Sequence, residues 1–203
     1  MLIFHFICEQ DINPMIRIII LASGSGSNAE NIIKYFKKSN LISVIQVLSN
    51  KKDAKVLERA KKHNISQLYF NKADFYTSDN LVNHIIKNAD YVILAGFLWK
   101  VPQNLIDAFP NQIINIHPAL LPKYGGKGMY GMHVHKAVVK NKEKESGITI
   151  HYVNENYDEG AIIFQEKAVI SSEDTPEDVA QKIHKLEYEY FPKVIEQVII
   201  KNG

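Results

Sequence analysis

Short apolar runs alternate along this chain with segments whose apolar residues fall three or four positions apart. The runs are Ile16–Ala22, Val44–Leu48, Gln67–Phe70, Tyr91–Ala95 and Gln112–Ile114. They are rich in Ile and Val, and most lack a polar face, the pattern of strands buried on both sides of a parallel sheet. Between them, residues 29–38, 53–63, 78–88 and 102–109 carry helical spacing. Asp53 is a plausible N-cap for the second helix, and Pro102 suits the start of the fourth. Strand and helix in alternation predict an α/β protein with an open, mostly parallel, twisted sheet and helices on both faces.

The pattern changes in the last third. A helix is expected over residues 133–141. Then 147–153 and 161–165 read as two strands joined by the short polar segment 154–160, an antiparallel extension of the sheet. Thr175-Pro176 opens a long C-terminal helix, with Val179, Ile183, Leu186, Tyr190, Val194 and Val198 on one stripe and a kink expected at Pro192. At the other end, Met15 stands directly before the first strong strand. Residues 1–14 therefore read as an N-terminal extension, with an extra edge strand as the alternative, and residues 15–203 as one domain.

Composition narrows the class. The chain has 203 residues, 46% hydrophobic and 23% charged, with a net charge of +2. That charge is too small to argue for nucleic acid. Cys8 is the single cysteine, which excludes an intrachain disulfide and Cys-rich zinc sites and fits a reducing cytoplasm. No apolar run approaches the ~20 residues that span a bilayer. Small-molecule substrates, no nucleic acid, no membrane, no metal, and a monomer or homodimer in the cytoplasm are the expectation.

Candidate chemistry sits where strands end. Asn115-Ile116-His117-Pro118-Ala119-Leu120-Leu121-Pro122 follows a buried run. Asn115 and His117 share a face, and Pro118 stops the ladder just after them. An amide donor beside a proton carrier suits a reaction in which a carbonyl oxygen becomes negative. A pair satisfied by ordinary turn hydrogen bonds is the plainer alternative. The turn Ser23-Gly24-Ser25-Gly26-Ser27-Asn28 at a helix start offers free N–H groups to a phosphate. Gly24, Gly26 and Ala29 satisfy the loose dinucleotide fingerprint, but the second strand ends in Ser49-Asn50 rather than the ribose-binding acid. NAD is disfavoured; NADP stays open, since Lys51 and Lys52 follow. Asp158, in Tyr157-Asp158-Glu159-Gly160, is either a turn former or an acid for the same site. His133 and His135 read as pocket lining or caps rather than metal ligands. His63, His84 and His184 fall on helices that look partly exposed, and Trp99 either lines a pocket or covers core.

Taken in order, Ser23–Asn28, Leu94–Phe97, Asn115–Pro122 and Asp158–Gly160 resemble the phosphoribosylglycinamide formyltransferase family, folate-dependent enzymes of purine synthesis. The resemblance runs from Ile16 to Ile200. It implies transfer of a formyl group from 10-formyltetrahydrofolate, a co-substrate, to the amine of glycinamide ribonucleotide. Asn115, His117 and Asp158 fall on the family's catalytic trio, and Gly26, Ser27 and Asn28 on its phosphate loop. Glu187 falls on a position that contacts the glycinamide end. Leu94, Gly96, Phe97, Leu98, Trp99 and Val153 fall on the folate pocket. Leu121-Pro122 is expected to be cis on the same ground. Two departures stand out: Trp99 replaces a residue that is basic in many relatives, with Lys100 a possible substitute, and the loop 123–131 is longer than in the shortest relatives. A formyltetrahydrofolate hydrolase or another folate-dependent formyltransferase shares the trio, and an NADP-binding oxidoreductase is the reading from a different class.

Overall fold

A computed structural model of the protein describes residues 15–202; the expectation for 1–14 lies outside the described residues. The sheet has seven strands in the order β3-β2-β1-β4-β5-β6-β7. Five are parallel: β1 (Ile16–Leu21), β2 (Ile42–Ser49), β3 (Ser66–Tyr69), β4 (Tyr91–Leu94) and β5 (Ile113–His117). The last two, β6 (Glu145–Tyr152) and β7 (Ile162–Val169), run antiparallel. The open, mostly parallel sheet with an antiparallel edge is as the sequence predicts.

Alternation along β1 divides the core in two. Ile18, Ile20 and Ala22 join one cluster, with Ile32, Ile33 and Phe36 of α1 (Ser27–Phe36), Val56 and Ala60 of α2 (Lys55–Lys62), Val134 and Val138 of α6 (Met132–Lys140), and Ile183, Phe191 and Ile195 of α7 (Pro176–Asn202). Ile19 and Leu21 join the other, with Phe75 of α3 (Lys72–Tyr76), Leu81 and Ile85 of α4 (Asp79–Asn88), and Leu105 of α5 (Gln103–Ala108). Helices thus cover both faces, as a parallel sheet buried on both sides requires.

Several expectations shift. Helix α2 begins at Lys55 with Ala54 at its N-cap, so Asp53 does not cap it. The five-residue α3 lies in a stretch that carries no helical period. It is started by a capping box between Asn71 and Asp74, a signal present in the sequence. Strand β7 reaches Val169, four residues past its expected end. Helix α7 opens on a reciprocal Thr175–Asp178 box and stays helical through the buried Pro192. Val179, Ile183, Val194 and Val198 of the expected stripe are buried, while in the middle of the helix Glu187 and Phe191 take the innermost positions and Leu186 and Tyr190 are only partly buried. The Leu121-Pro122 bond is cis.

Candidate active site

The carboxyl ends of β1, β4 and β5 open into one cavity of about 670 Å³. In a sheet of this kind, ligands bind there because adjacent strand connections diverge. One end of the cavity is built from backbone and the other from side chains.

The backbone end is the turn between β1 and α1. Gly26 has φ of +75°, and a Cβ there would lie 2.3 Å from Val56 Cγ2, so only glycine fits. The carbonyls of Gly24, Ser25 and Gly26 all accept, from Val56 N at 3.3 Å, Arg59 Nε at 2.9 Å and Glu30 N at 2.9 Å. Among the described residues, no protein group accepts from the backbone N–H of Ser25, Gly26, Ser27 or Asn28. Carbonyls tied back and amides left over at a helix start form an anion nest. Gly26, Ser27 and Asn28, singled out for a phosphate, all line the cavity here, with Lys51 beside them.

The side-chain end is assembled by strand pairing. Asn115 lies opposite His151 in the β5–β6 register, and His117 opposite Thr149. Asp158 is carried by the β6–β7 connection with φ of +57°, a left-handed conformation that Asp tolerates better than most residues. That connection folds back closely: a Cβ on Gly160 would lie 1.7 Å from the Tyr152 carbonyl. The structure therefore brings Asn115 and His117 of β5 together with Asp158 of the β6–β7 connection, from two separate stretches. His117 Nδ1 is 3.5 Å from Asp158 Oδ2, and its Nε2 donates to the Tyr124 carbonyl at 2.8 Å. Asp158 Oδ2 also accepts from Gly126 N at 2.8 Å.

A fourth residue, His151, was not singled out from the sequence. Its Nδ1 donates to the Tyr152 carbonyl at 2.8 Å, which leaves Nε2 to accept from Asn115 Nδ2 at 3.0 Å. The same Nε2 is 3.7 Å from Asp158 Oδ1. His151 thus fixes the amide of Asn115 and faces the acid. Its signal was register: only the β5–β6 pairing places it against Asn115.

Burial sets the protonation of the trio. Burial pushes the His117 pKa below its ordinary value, against the opposing pull of the Asp158 carboxylate. Burial works to raise Asp158, but His117 and the Gly126 N–H pull the other way, and it lies below the usual carboxylate range. At neutral pH the arrangement is a carboxylate facing a neutral imidazole, poised to take a proton.

Glu187 of α7 also reaches the cavity and is buried. Its Oε2 accepts from Asn28 Nδ2 at 3.0 Å and meets His184 Nδ1 at 2.9 Å, which raises the His184 pKa. His184, expected on an exposed helix face, lines the cavity as well as meeting solvent. His135 is buried in the cavity wall, in agreement with pocket lining, and its Nδ1 has no partner among the described residues. No group of three or more His, Cys, Asp or Glu among the described residues is placed to hold a metal ion.

Of the residues expected around folate, Gly96, Phe97 and Leu98 line the large cavity. Leu94, Phe97, Trp99 and Val153 line a smaller one of about 60 Å³, shared with Lys100, Asn115, His151 and Asp158. Asn115 and Asp158 line both cavities, and His117 only the larger. Trp99 does double service: it also packs in an aromatic cluster with Phe70, Phe75, Tyr76 and Phe97, and Lys72 Nζ sits 5.9 Å from its ring centre.

A doubly covered α/β sheet with Asn115 and His117 at the end of its fifth strand and Asp158 facing them suits chemistry in which a carbonyl oxygen becomes negative. The formyl transferase family matches residues 16–195, and the chain belongs to that family. It is 40% identical over 186 residues to the chloroplastic phosphoribosylglycinamide formyltransferase of Arabidopsis thaliana, covering 88% of this chain and 64% of that protein. It is 35% identical to the phosphoribosylglycinamide formyltransferase of Bacillus subtilis, covering 93% of this chain and 97% of that one. The chain thus spans less than two thirds of the plant relative and nearly all of the bacterial one. Among solved structures, the phosphoribosylglycinamide formyltransferase of Bacillus halodurans superposes with a TM-score of 0.81 at 35% identity, covering 92% of this chain and 97% of that chain. These matches leave the NADP oxidoreductase reading without support.

Proposed function

We propose that this protein transfers a formyl group from 10-formyltetrahydrofolate to the amine of glycinamide ribonucleotide, a step of purine biosynthesis. The observation that carries the reading is that an anion nest and an Asn–His–Asp group stand at two ends of one cavity. A phosphorylated amine held by its phosphate in the nest extends toward the trio. The formyl donor enters beside it through the smaller cavity lined by Leu94, Phe97, Trp99 and Val153. The relatives named for this reaction support the choice of both substrates.

In this reading the amine attacks the formyl carbon and the carbonyl oxygen becomes negative. Asn115 donates to that oxygen, its amide already oriented by His151. Both nitrogens of His117 are engaged, by Tyr124 and Asp158, so His117 acts on the oxyanion by charge once it gains a proton. Asp158 and His117 together receive the proton the amine loses, directly or through a water. That proton then passes to N10 of the folate, the bond between N10 and the formyl carbon breaks as the intermediate collapses, and tetrahydrofolate leaves. Residues 15–203 act as one formyltransferase unit, supported by the family match over 16–195 and by the single sheet. A cytoplasmic monomer or homodimer completes the reading. No described helix is long and apolar enough to cross a membrane.

The test is a spectrophotometric assay with 10-formyl-5,8-dideazafolate, with and without glycinamide ribonucleotide. Deformylation that requires the ribonucleotide is the expected outcome. Deformylation that ignores it would make the protein a hydrolase, and no reaction in folded protein would refute the reading.

A further inference from the structure

The nest between β1 and α1 is polarised from outside, by α2. Three features of α2 press on the turn. The Val56 side chain fills the space beside Gly26, Val56 N donates to the Gly24 carbonyl, and Arg59 Nε donates to the Ser25 carbonyl at 2.9 Å. The guanidinium is itself anchored. Arg59 Nη1 pairs with Glu30 Oε2, and the other oxygen of Glu30 meets His63 Nε2 at 3.1 Å and Lys34 Nζ at 3.5 Å. Glu30 stands in the first turn of α1, the helix whose N-terminus the nest forms, and its own N–H holds the Gly26 carbonyl.

A peptide group has two ends. Holding the Ser25 carbonyl against a cation turns the Ser25–Gly26 amide the other way, toward the cavity. Without Arg59 the Ser25 carbonyl has no other partner among the described residues. It is then free to swing inward, where a carbonyl oxygen repels an anion. We propose that Arg59 is a positioning residue for phosphate: it touches no substrate, and it keeps the nest's amides aimed at the anion by holding the Ser25 carbonyl back. The inference rests on the reading of this turn as a phosphate site, but not on the reaction that follows.

The test uses the full chain and inorganic phosphate as the probe, so it does not depend on turnover. Phosphate affinity is measured by titration calorimetry on wild type, Arg59→Met and Arg59→Lys. Arg59→Met keeps the aliphatic stem and loses the donors. Arg59→Lys can still donate to one acceptor. We expect Arg59→Met to bind phosphate about tenfold more weakly, the scale of one charge-assisted hydrogen bond, and Arg59→Lys to recover part of that loss. In transfer assays the same variants should raise KM for the ribonucleotide while KM for the formyl donor stays at the wild-type value. A purely structural brace would instead lower the melting temperature and raise both Michaelis constants together, or leave phosphate affinity untouched. Wild-type phosphate affinity in a folded Arg59→Met, or no phosphate binding by wild type at millimolar concentration, overturns the inference. Phosphate binding that depends on Arg59 in a protein that formylates no ribonucleotide would refute the proposed reaction and leave the role of Arg59 standing.

Discussion

The two ends of the cavity solve the same problem, the handling of charge, with different materials. At the β1–α1 turn the work is done by peptide groups, aimed by Gly26 and by the three carbonyl contacts behind them. At the β5 end it is done by the side chains of Asn115, His117, His151 and Asp158, drawn from β5, β6 and the connection to β7. Peptide amides do not titrate, so the first end presents the same field at every physiological pH. The second end contains groups that titrate, and there the Asp158 carboxylate opposes the effect of burial on His117. In the proposed function, binding and chemistry are separated along one cavity, and substitutions should sort by end.

The largest effect belongs to the titrating end. Asp158→Asn keeps the shape and the acceptor for Gly126 N but removes the charge that faces His117 and His151. Turnover should fall by roughly 10²–10⁴-fold, the usual share of a general acid–base group, with an unchanged circular dichroism spectrum and little change in ribonucleotide affinity. Near wild-type turnover would remove Asp158 from the chemistry. At the backbone end, Gly26→Ala meets both a left-handed backbone and the Val56 side chain. Strain and overpacking together should destabilise the fold by about 1–4 kcal/mol and raise KM for the ribonucleotide at least tenfold, with kcat less affected. A variant that loses kcat but keeps KM would erase the division between the ends.

That division also explains what could be read in advance. The turn was legible because its signal is local: a β-branched run and two glycines lie within thirteen residues, 16–28, directly before the helical period of 29–38. The layered sheet was legible for the same reason, since buried parallel strands are continuous apolar runs. Asn115 and His117 are adjacent on one strand and could be paired from periodicity. Asp158 could be joined to them only through family resemblance, because nothing local distinguishes it from a turn former. His151 was missed because its partner is set by the β5–β6 register, and His184 because a half-exposed histidine beside Glu187 looks like any surface pair. Arg59 was invisible for a further reason: its contact is with a backbone carbonyl, which carries no sequence signal at all. Helix α3 is the opposite case, since its Asn71–Asp74 box was present in the sequence without a hydrophobic period to draw attention to it.

A difference in pH response between the ends should be directly visible. Because burial holds the His117 pKa below about 6.5, the ordinary histidine value, the unfolded chain takes up this proton before the folded one does. The resulting contribution to stability is present above about pH 6.5 and declines as pH falls toward the folded pKa. In carbon-13 NMR of histidine-labelled protein, His117 should titrate with a midpoint below 6.5. In Asp158→Asn the midpoint should move lower still, since the carboxylate is what opposes burial. A midpoint that rises in that variant would reverse the electrostatic order described for the trio. Binding of inorganic phosphate at the nest should show no inflection at the His117 midpoint.

The smallest effect separates backbone from side chain within a single residue. Asn28 contributes its N–H to the nest, and its amide donates to Glu187 Oε2 at 3.0 Å. Asn28→Ala keeps the first contribution and removes the second. Glu187 then holds its carboxylate against His184 alone, in a wall from which solvent is largely excluded. Loss of one such hydrogen bond corresponds to about 0.5–1.5 kcal/mol, a factor of roughly two to ten. KM for the ribonucleotide should rise by that factor, because Glu187 lines the same cavity as the nest and the trio. Affinity for inorganic phosphate, measured by the same calorimetry, should remain within about twofold of wild type, since the peptide amides that form the nest are untouched. If phosphate affinity instead falls as far as it does in Gly26→Ala, then the side chain of Asn28 is part of the nest, and the backbone end is not built from backbone alone.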